Sequence, residues 1–479
     1  MYAIADDTST SRKYMTDIEG NLVLGWTFSR RQFIGALAAA GAGTCWARGV
    51  PGEEPLLRIG VMSDSHVTAD SATLEPLRRE FSYMAAQNVD VVMHAGDICD
   101  NGTLDELEMM MGTWRECFRD GRNAAGLTVV PFFVFGNHDY RTTGQKANLI
   151  FHNKEKAWQM ICGEPFPGEV FSKTVKGFTF VGAHWRSEGS IGEWFKAHPA
   201  PKGLPIFHVQ HPHPWHTCFG DWAPCEKAGF DELLRHPNLF SCSGHSHISI
   251  GDDRALWQGG FVSLGAGSAR CPSHGRRKEY ENGAPKLPWP DGEYRHMPSA
   301  RSGKGWQASI IEVRRDGLTI VRREFYNGES MGSDWHVPFP FRHDASRPYI
   351  LADAAAAPEF PADATVVVTE TEGKRRPDGA IVKLVRVRTP AACGAAPGSR
   401  VLAYRFTVIE AATGKVILER RALHDCITVS EIRARRMPCW CAFARTDLPA
   451  GMPLKVRVEP LNASLRAGRP IESAEFTLS

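Results

Sequence analysis

The sequence predicts a layered α/β domain followed by a smaller all-β domain. From about residue 56, short β-branched or aromatic runs alternate with amphipathic stretches of helical spacing, the signature of a sheet covered by helices. Beyond a segment rich in alanine and proline, 344–364, the helical stretches stop and short β-prone runs follow one another between turn signals, as in a β-sandwich. The first fifty residues differ from both. The expected division is therefore 1–50, 51–345 and 346–479.

A chain of 479 residues with 43% hydrophobic content can bury at least one large core. Its formal net charge of +2 gives no electrostatic reason to expect a nucleic-acid or anionic-membrane partner. No apolar run approaches the roughly 20 residues that span a bilayer. In the N-terminal segment, Ser29-Arg30-Arg31-Gln32-Phe33-Ile34 leads into a short run of small residues, Gly35 to Gly43. A twin-arginine pair in this setting resembles a Tat-type export signal and implies a periplasmic or extracellular protein. The lead before the pair is long and partly acidic, and Met15 offers an alternative start. Ala42-Gly43-Thr44 before Cys45 is a poor match to a lipoprotein cleavage site, so no lipid anchor is expected there. The 12 cysteines contain no CxxC pair and read as buried free thiols. Cys439 and Cys441 would share one face of a strand, which favours core packing.

The apolar runs of the α/β region end alike. Leu57 to Met62 ends in Ser63-Asp64-Ser65-His66, and Val89 to Met93 in His94-Ala95-Gly96-Asp97. Val129 to Phe135 ends in Gly136-Asn137-His138-Asp139, Ile206 to Gln210 in His211-Pro212-His213, and Leu239 to Ser243 in Gly244-His245-Ser246-His247. Between them, Leu74, Leu77, Phe81, Met84 and Ala85 recur at helical spacing. So do Leu104, Leu107, Met110, Met111 and Trp114, after a Thr103–Glu106 capping box. In layered α/β folds the ligand site gathers at the carboxyl ends of the strands, so these strand ends point to one place.

Carboxylate oxygen together with imidazole nitrogen suits first-row divalent metals such as Mn, Fe or Zn. Asp64, His66, Asp97, Asn137, His211, His245 and His247 are too many for one four-coordinate ion and suffice for two if a carboxylate bridges. Two-metal sites suit in-line displacement at phosphorus. Gly96, Gly136 and Gly244 stand where the backbone must turn sharply before a ligand.

With these residues the sequence resembles the calcineurin-like metallophosphoesterases, whose pattern is Asp-x-His, Gly-Asp, Gly-Asn-His-Asp/Glu, His, then Gly-His-x-His. The resemblance covers roughly residues 56–330. It implies a four-layer sandwich of two mixed sheets flanked by helices, and an exported, dinuclear-metal hydrolase of phosphate esters. It assigns one metal to Asp64, His66, Asp97 and His247, and the other to Asp97, Asn137, His211 and His245, with Asp97 as the bridge. It further implies a nucleophilic hydroxide between the ions, His138 over the phosphate as a catalytic residue, Asp139 holding the ring of His138, and Asp100 in a supporting role. His211 is preferred to His213 because it comes first after the apolar run, with His216 a more distant rival.

His94, His208 and His184 read as packing residues, although His184 ends an apolar run and is also a candidate for reaching substrate. Arg276, Arg277 and Lys278 fall in an irregular loop and read as solvated. Trp215, Trp222 and Trp257 are candidates for a substrate wall or for covering the core. Trp306–Val313 and Leu318–Phe325 read as a hairpin completing the second sheet. The C-terminal domain faintly resembles a fibronectin type III or immunoglobulin-like module. It is expected to pack on the enzyme, with a glycan or protein partner as the other reading. For the substrate, a small phosphorylated molecule, the motif set leans towards phosphodiesters. The alternatives are a phosphomonoesterase acting on nucleotides or sugar phosphates, and a non-catalytic binding protein.

Overall fold

The apolar runs become strands and the spaced stretches become helices. The computed structural model describes residues 13–16, 22–25, 54–198, 203–218, 227–272, 306–374, 381–394 and 400–479. Lys13–Thr16 pairs antiparallel with Leu22–Gly25 in a unit of its own, separate from Glu54–Ser479. The Ser29–Gly43 motif and Cys45 lie outside the described residues. Among the described residues no helix is long and apolar enough to cross a membrane.

In the larger unit the chain runs Leu57–Met62 (β1), Leu74–Ala86 (α1), Val91–Ala95 (β2), Leu104–Cys117 (α2) and Val130–Val134 (β3). The three strands are parallel neighbours. Helix α1 buries Leu77, Phe81 and Met84, and Met84 lies so close over Gly60 of β1 that a Cβ at 60 would collide with its sulfur. The predicted capping box starts α2, with Thr103 Oγ1 accepting from Glu106 N at 3.2 Å. Trp114 then packs edge-on to Phe81 and Phe133, joining both helices to the sheet.

After Lys154–Cys162 (α3) come Val170–Val175 (β4), Phe178–Ala183 (β5), Ile191–Ala197 (α4), Ile206–Gln210 (β6), Lys227–Leu233 (α5), Leu239–Ser243 (β7), Leu256–Trp257 (β8) and Val262–Gly265 (β9). The strands form a second mixed sheet in the order β8-β9-β7-β6-β5-β4. The two sheets face each other. Phe132 of β3 meets Phe171 of β4 at 4.9 Å and Phe180 of β5 at 5.6 Å. All three rings are buried in one continuous cluster, each contributing roughly 1.5–3 kcal/mol of burial free energy.

The predicted hairpin forms as Gln307–Val313 (β10) and Gly317–Glu324 (β11) but joins the first sheet, where Ile310 lies opposite Gly60 of β1. Its alternation of buried and part-buried residues allows either sheet; the free edge of β1 decides. Beyond the boundary expected at residue 345, Tyr349 and Ala352 are buried in the same apolar cluster as the two sheets, and the Tyr349 hydroxyl donates to the Cys218 carbonyl at 2.9 Å.

The remainder is antiparallel β structure. Val367–Lys374 (β12), Ile381–Thr389 (β13) and Cys439–Ala444 (β16) form one sheet. Ala403–Glu410 (β14), Val416–Leu423 (β15) and Pro453–Leu461 (β17) form the other, with Ile471–Glu472 and Phe476–Thr477 on the far side of β17. Val385, Val387 and Phe443 from the first and Phe406, Val408 and Val456 from the second share one apolar cluster. Cys439 and Cys441 are buried in it as free thiols.

One charge is misplaced by these rules. Glu80 of α1 is fully buried, neither carboxylate oxygen has a hydrogen-bond partner among the described residues, and burial pushes its pKa well above the usual range. Because the folded-state value is raised, this group favours the fold below about pH 4.5 and penalises it as pH rises towards and through the folded value. Glu80→Met is expected to stabilise the protein by on the order of 1–3 kcal/mol at neutral pH and by less at pH 5, read from urea midpoints at the two pH values.

Candidate metal centre

Each candidate ligand stands just beyond the carboxyl end of a strand: Asp64 and His66 after β1, Asp97 after β2, Asn137 after β3, His211 after β6, and His245 and His247 after β7. Five of them adopt left-handed backbone, with φ of 53° at Asp64, 43° at His66, 53° at Asp97, 68° at His245 and 58° at His247. That conformation costs an ordinary side chain roughly 1–2 kcal/mol and concentrates at functional sites. Glycine supplies the closest approaches. A Cβ at Gly244 would collide with Ser63 Oγ and the Asp64 carboxylate, and at Gly96, with φ of 88°, it would collide with the ring of His211.

The side chains converge in two groups. In the first, His247 Nε2 lies 3.1 Å from Asp64 Oδ1 and 3.2 Å from His66 Nε2. In the second, His211 Nε2 lies 3.1 Å from Asp97 Oδ2, 3.0 Å from Asn137 Oδ1 and 3.2 Å from His245 Nδ1. Asp97 Oδ2 is also 3.8 Å from His66 Nε2, so this one oxygen faces both groups. Its partner Oδ1 accepts the backbone N–H of His138 at 2.8 Å.

The far sides of the rings fix which nitrogen faces inward. His66 Nδ1 donates to Asp100 Oδ1 at 3.1 Å, His211 Nδ1 to the Ala95 carbonyl at 2.7 Å and His247 Nδ1 to the Cys271 carbonyl at 3.1 Å. Each ring thus carries its proton outward and turns the Nε2 lone pair into the site, the usual outer support of a metal-binding histidine. Asp64 is held by Ser63 Oγ at 2.6 Å and by His245 N at 3.0 Å, both on Oδ2. Inward lone pairs from nitrogen, carboxylate and amide oxygen form a donor set able to hold a divalent cation.

The electrostatics agree. Burial disfavours charge on Asp97, yet His211 and His66 hold its pKa down to about 2; burial opposes the charge on Asp64 as well, and His247 holds it well below the usual range. In return, against the cost of burial, Asp100 and Asp64 raise His66 to about 10, and Asp97 raises His211 to about 9. The pocket demands positive charge at its centre, which a bound cation supplies in place of protons.

Of the rival histidines, His216 is exposed and meets the ring of its neighbour Trp215 edge-on at 5.2 Å. His213 has both nitrogens on hydroxyls, Nδ1 on Ser243 at 2.7 Å and Nε2 on Ser246 at 2.8 Å. His184 accepts the Phe135 N–H and stacks on Phe135, Phe166 and Phe171 in the interior. His94 meets Ser65, and His208 meets Ser241. Trp257 is buried against Phe261, covering the core. Trp222, Arg276, Arg277 and Lys278 lie outside the described residues.

The expected role of Asp139 is corrected. Its carboxylate accepts three backbone N–H groups, from Ile98 at 3.1 Å, Cys99 at 2.8 Å and Gly136 at 2.8 Å. Both of its oxygens are thus engaged by the backbone of its own and the neighbouring loop. The ring of His138 is held instead by the Asp100 carbonyl, which takes Nδ1–H at 2.7 Å, and Arg141 Nη2 stands 2.8 Å from the same nitrogen. The His138 side chain keeps 27% of its surface exposed, against 7% for His66 and 0% for His211, so it faces the open side. Sequence reasoning missed Arg141, the ring of Trp185 lying 5.4 Å from His245 and 5.8 Å from His211, and the outer supports Ser63 and Cys271. No short motif marks them.

Residues 57–249 match the family model described as calcineurin-like phosphoesterase. No curated protein matches the chain. Among solved structures, it is similar to a novel archaeal phosphodiesterase at 13% identity and a TM-score of 0.27, over 56% of this chain and 99% of that one. Vps29 of Entamoeba histolytica, complexed with Zn, gives 14% identity and a TM-score of 0.26, over 59% and 99%. The purple acid phosphatase PPD1 of yellow lupin (Lupinus luteus) seeds gives 14% identity and a TM-score of 0.35, over 58% and 53%.

Two expectations follow. Asp139→Ala releases three backbone N–H groups and should lower unfolding free energy by on the order of 3 kcal/mol, whereas His138→Ala should leave denaturant midpoints near wild type. By metal analysis after dialysis, His211→Ala should lower bound metal while His213→Ala should retain it.

Proposed function

We propose that this chain, a phosphoric ester hydrolase with a calcineurin-like phosphoesterase domain over residues 57–249, works with two divalent metal ions on phosphodiesters outside the cytoplasm. The observation that carries the two-metal reading is the position of Asp97 Oδ2, 3.1 Å from His211 Nε2 and 3.8 Å from His66 Nε2. One ion is assigned to Asp64, His66, Asp97 and His247, the other to Asp97, Asn137, His211 and His245. When bound, two such ions supply Lewis-acid polarisation of the phosphoryl group and activate water at neutral pH.

The remaining work falls to the protein. Asp100 takes the outward proton of His66 through its carboxylate and that of His138 through its carbonyl, so one residue fixes both rings. With Nδ1 tied, His138 presents Nε2 to the open side, where it can neutralise developing charge and donate a proton to the departing oxygen, a contribution of about 10²–10⁴ in rate. Arg141 adds a fixed positive charge beside that ring.

The diester preference rests on the motif set, which resembles the cyclic-nucleotide and glycerophosphodiester branch. Among the described residues, Arg141 and Arg270 contact the site residues, Arg270 donating to the His66 carbonyl. Export rests on the Ser29-Arg30-Arg31-Gln32-Phe33 motif. The C-terminal strand order, β12-β13-β16 against β15-β14-β17-Ile471–Glu472, supports an immunoglobulin-like or fibronectin type III sandwich.

The test is turnover of one aryl phosphodiester and one aryl monoester by the full chain reconstituted with Mn, Zn or Fe, beside Asp97→Ala and His138→Ala. Diester turnover is expected, abolished in the first variant and lowered about 10²–10⁴-fold in kcat, with metal content unchanged, in the second. Monoester preference would overturn the substrate class. Bound metal without turnover of either ester would overturn catalysis in favour of a binding protein.

A further inference from the structure

The loop that carries His245 and His247 continues through Ile248, Ser249, Ile250 and Gly251, and at Ser249 it meets the C-terminal domain. Ser249 Oγ donates to the Ile427 carbonyl at 2.7 Å. Gly251 passes so close to that same carbonyl that a Cβ would collide with it. Gln307, at the start of β10, closes the junction. Its Nε2 donates to Ser249 Oγ at 3.0 Å and to the Thr428 carbonyl at 2.9 Å, and its Oε1 accepts Ile250 N–H at 3.0 Å. Ser249 and Gln307 are wholly buried, and Ile427 and Thr428 are nearly so.

The junction leads back to the site. Gln307 N–H donates to the Ser268 carbonyl at 3.1 Å. Ser268 Oγ donates to the backbone carbonyl of Asp64 at 3.0 Å and accepts the N–H of Cys271 at 2.9 Å. The Cys271 carbonyl receives His247 Nδ1–H, and Arg270, between these two residues, donates to the carbonyl of His66. Each residue of the first group is therefore reached by a chain of hydrogen bonds that begins on the buried carbonyls of Ile427 and Thr428 and ends through the half-buried Arg270 and Cys271. In the second group only His245 lies on this loop; the outward proton of His211 goes to Ala95, and Asn137 follows β3.

We propose that the C-terminal domain is a positioning element of the metal centre, acting through Ser249 and Gln307 on the site formed by Asp64, His66 and His247 and leaving the His211–Asn137 site largely unaffected. The inference rests on the two-metal reading above. Removing an outer support of a metal ligand weakens binding by about 10–100-fold, and here the Cys271 support of His247 is itself braced, through Ser268 and Gln307, by the Thr428 carbonyl. The chain of bonds sets direction rather than strength: with a carbonyl fixed opposite Nδ1, the His247 ring holds Nε2 inward before any cation arrives.

The experiment is a Mn(II) titration of the metal-free full chain, followed by calorimetry and by metal analysis at a fixed free concentration. Wild type is compared with Ser249→Ala, Gly251→Ala and Arg433→Ala. The last loosens the same interface at the Arg433–Glu324 ion pair (3.0 Å) without removing a hydrogen bond of the path. Ser249→Ala and Gly251→Ala are expected to weaken one of the two ions about 10–100-fold and leave the other within about threefold of wild type. Arg433→Ala should keep both affinities even where its thermal midpoint falls. Unchanged affinities in both path variants, or equal weakening of both ions, would overturn the proposal, as would the same selective loss in Arg433→Ala. A wild-type protein that binds no second ion would instead overturn the two-metal reading, which separates the two failures. If Gly251→Ala does not fold, Ser249→Ala decides, since it deletes one oxygen and introduces no clash.

Discussion

The carboxylate of Asp97 has two oxygens, and the site depends on how they are divided. Oδ1 is committed to the backbone N–H of His138. Oδ2 is therefore pinned between His66 and His211, and its position sets how far apart the two ligand groups lie. Asp97 can be held there because Gly96 turns the chain at a φ of 88° and leaves room for the His211 ring. One amide and one glycine thus fix where charge can be placed, and the other ligands arrange themselves around that point.

Such an arrangement is strained. Left-handed backbone at five ligand positions would relax if the neighbouring chain were free to move. It is held by hydrogen bonds running between the β1 and β2 exits: Asp64 N to the Gly96 carbonyl, His66 N to Asp97, and Val67 N to Ile98. Asp139 completes the frame by gathering the N–H groups of Ile98, Cys99 and Gly136 on one carboxylate. Burial and the nearby charge of Asp97 raise its pKa, and the three backbone donors oppose that rise. The residue that follows His138 in sequence turns out to shape the loop on which that histidine stands.

This explains why the ligands were legible in the sequence and their supports were not. Asp64, Asp97, Asn137, His211 and His245 announce themselves because each follows an apolar run, and a strand end is a fixed address in a layered fold. The choice of His211 over His213 follows from the same rule, since a residue leaving the strand directly points along it. Asp139 and Cys271 act through a carboxylate or carbonyl aimed by tertiary structure, and no spacing records such aim; Asp100 is reached only through the family resemblance. Gln307 and Thr428 are separated from the residues they serve by scores of positions. The hairpin was found and assigned to the wrong sheet for a similar reason: alternation reports that one face is buried, not against what.

The C-terminal domain shows the same logic at larger scale. Arg400 is buried and donates to the carbonyls of Met331, Cys426 and Val429, while Arg322 of β11 donates to Ile250 and Ser333 and lies 3.8 Å over the Trp335 ring. Burying a guanidinium costs several kcal/mol unless its hydrogens are taken; here most are taken by carbonyls of loops that have no sheet partners, and Arg322 also meets Asp253 Oδ1 at 3.4 Å, while its Nε has no partner among the described residues. The interface therefore does not resemble a surface evolved to separate. Parting the domains would leave Arg400 without the Met331 carbonyl and would free the Ser249 loop, so the energy that joins the domains and the geometry that holds His247 have the same source.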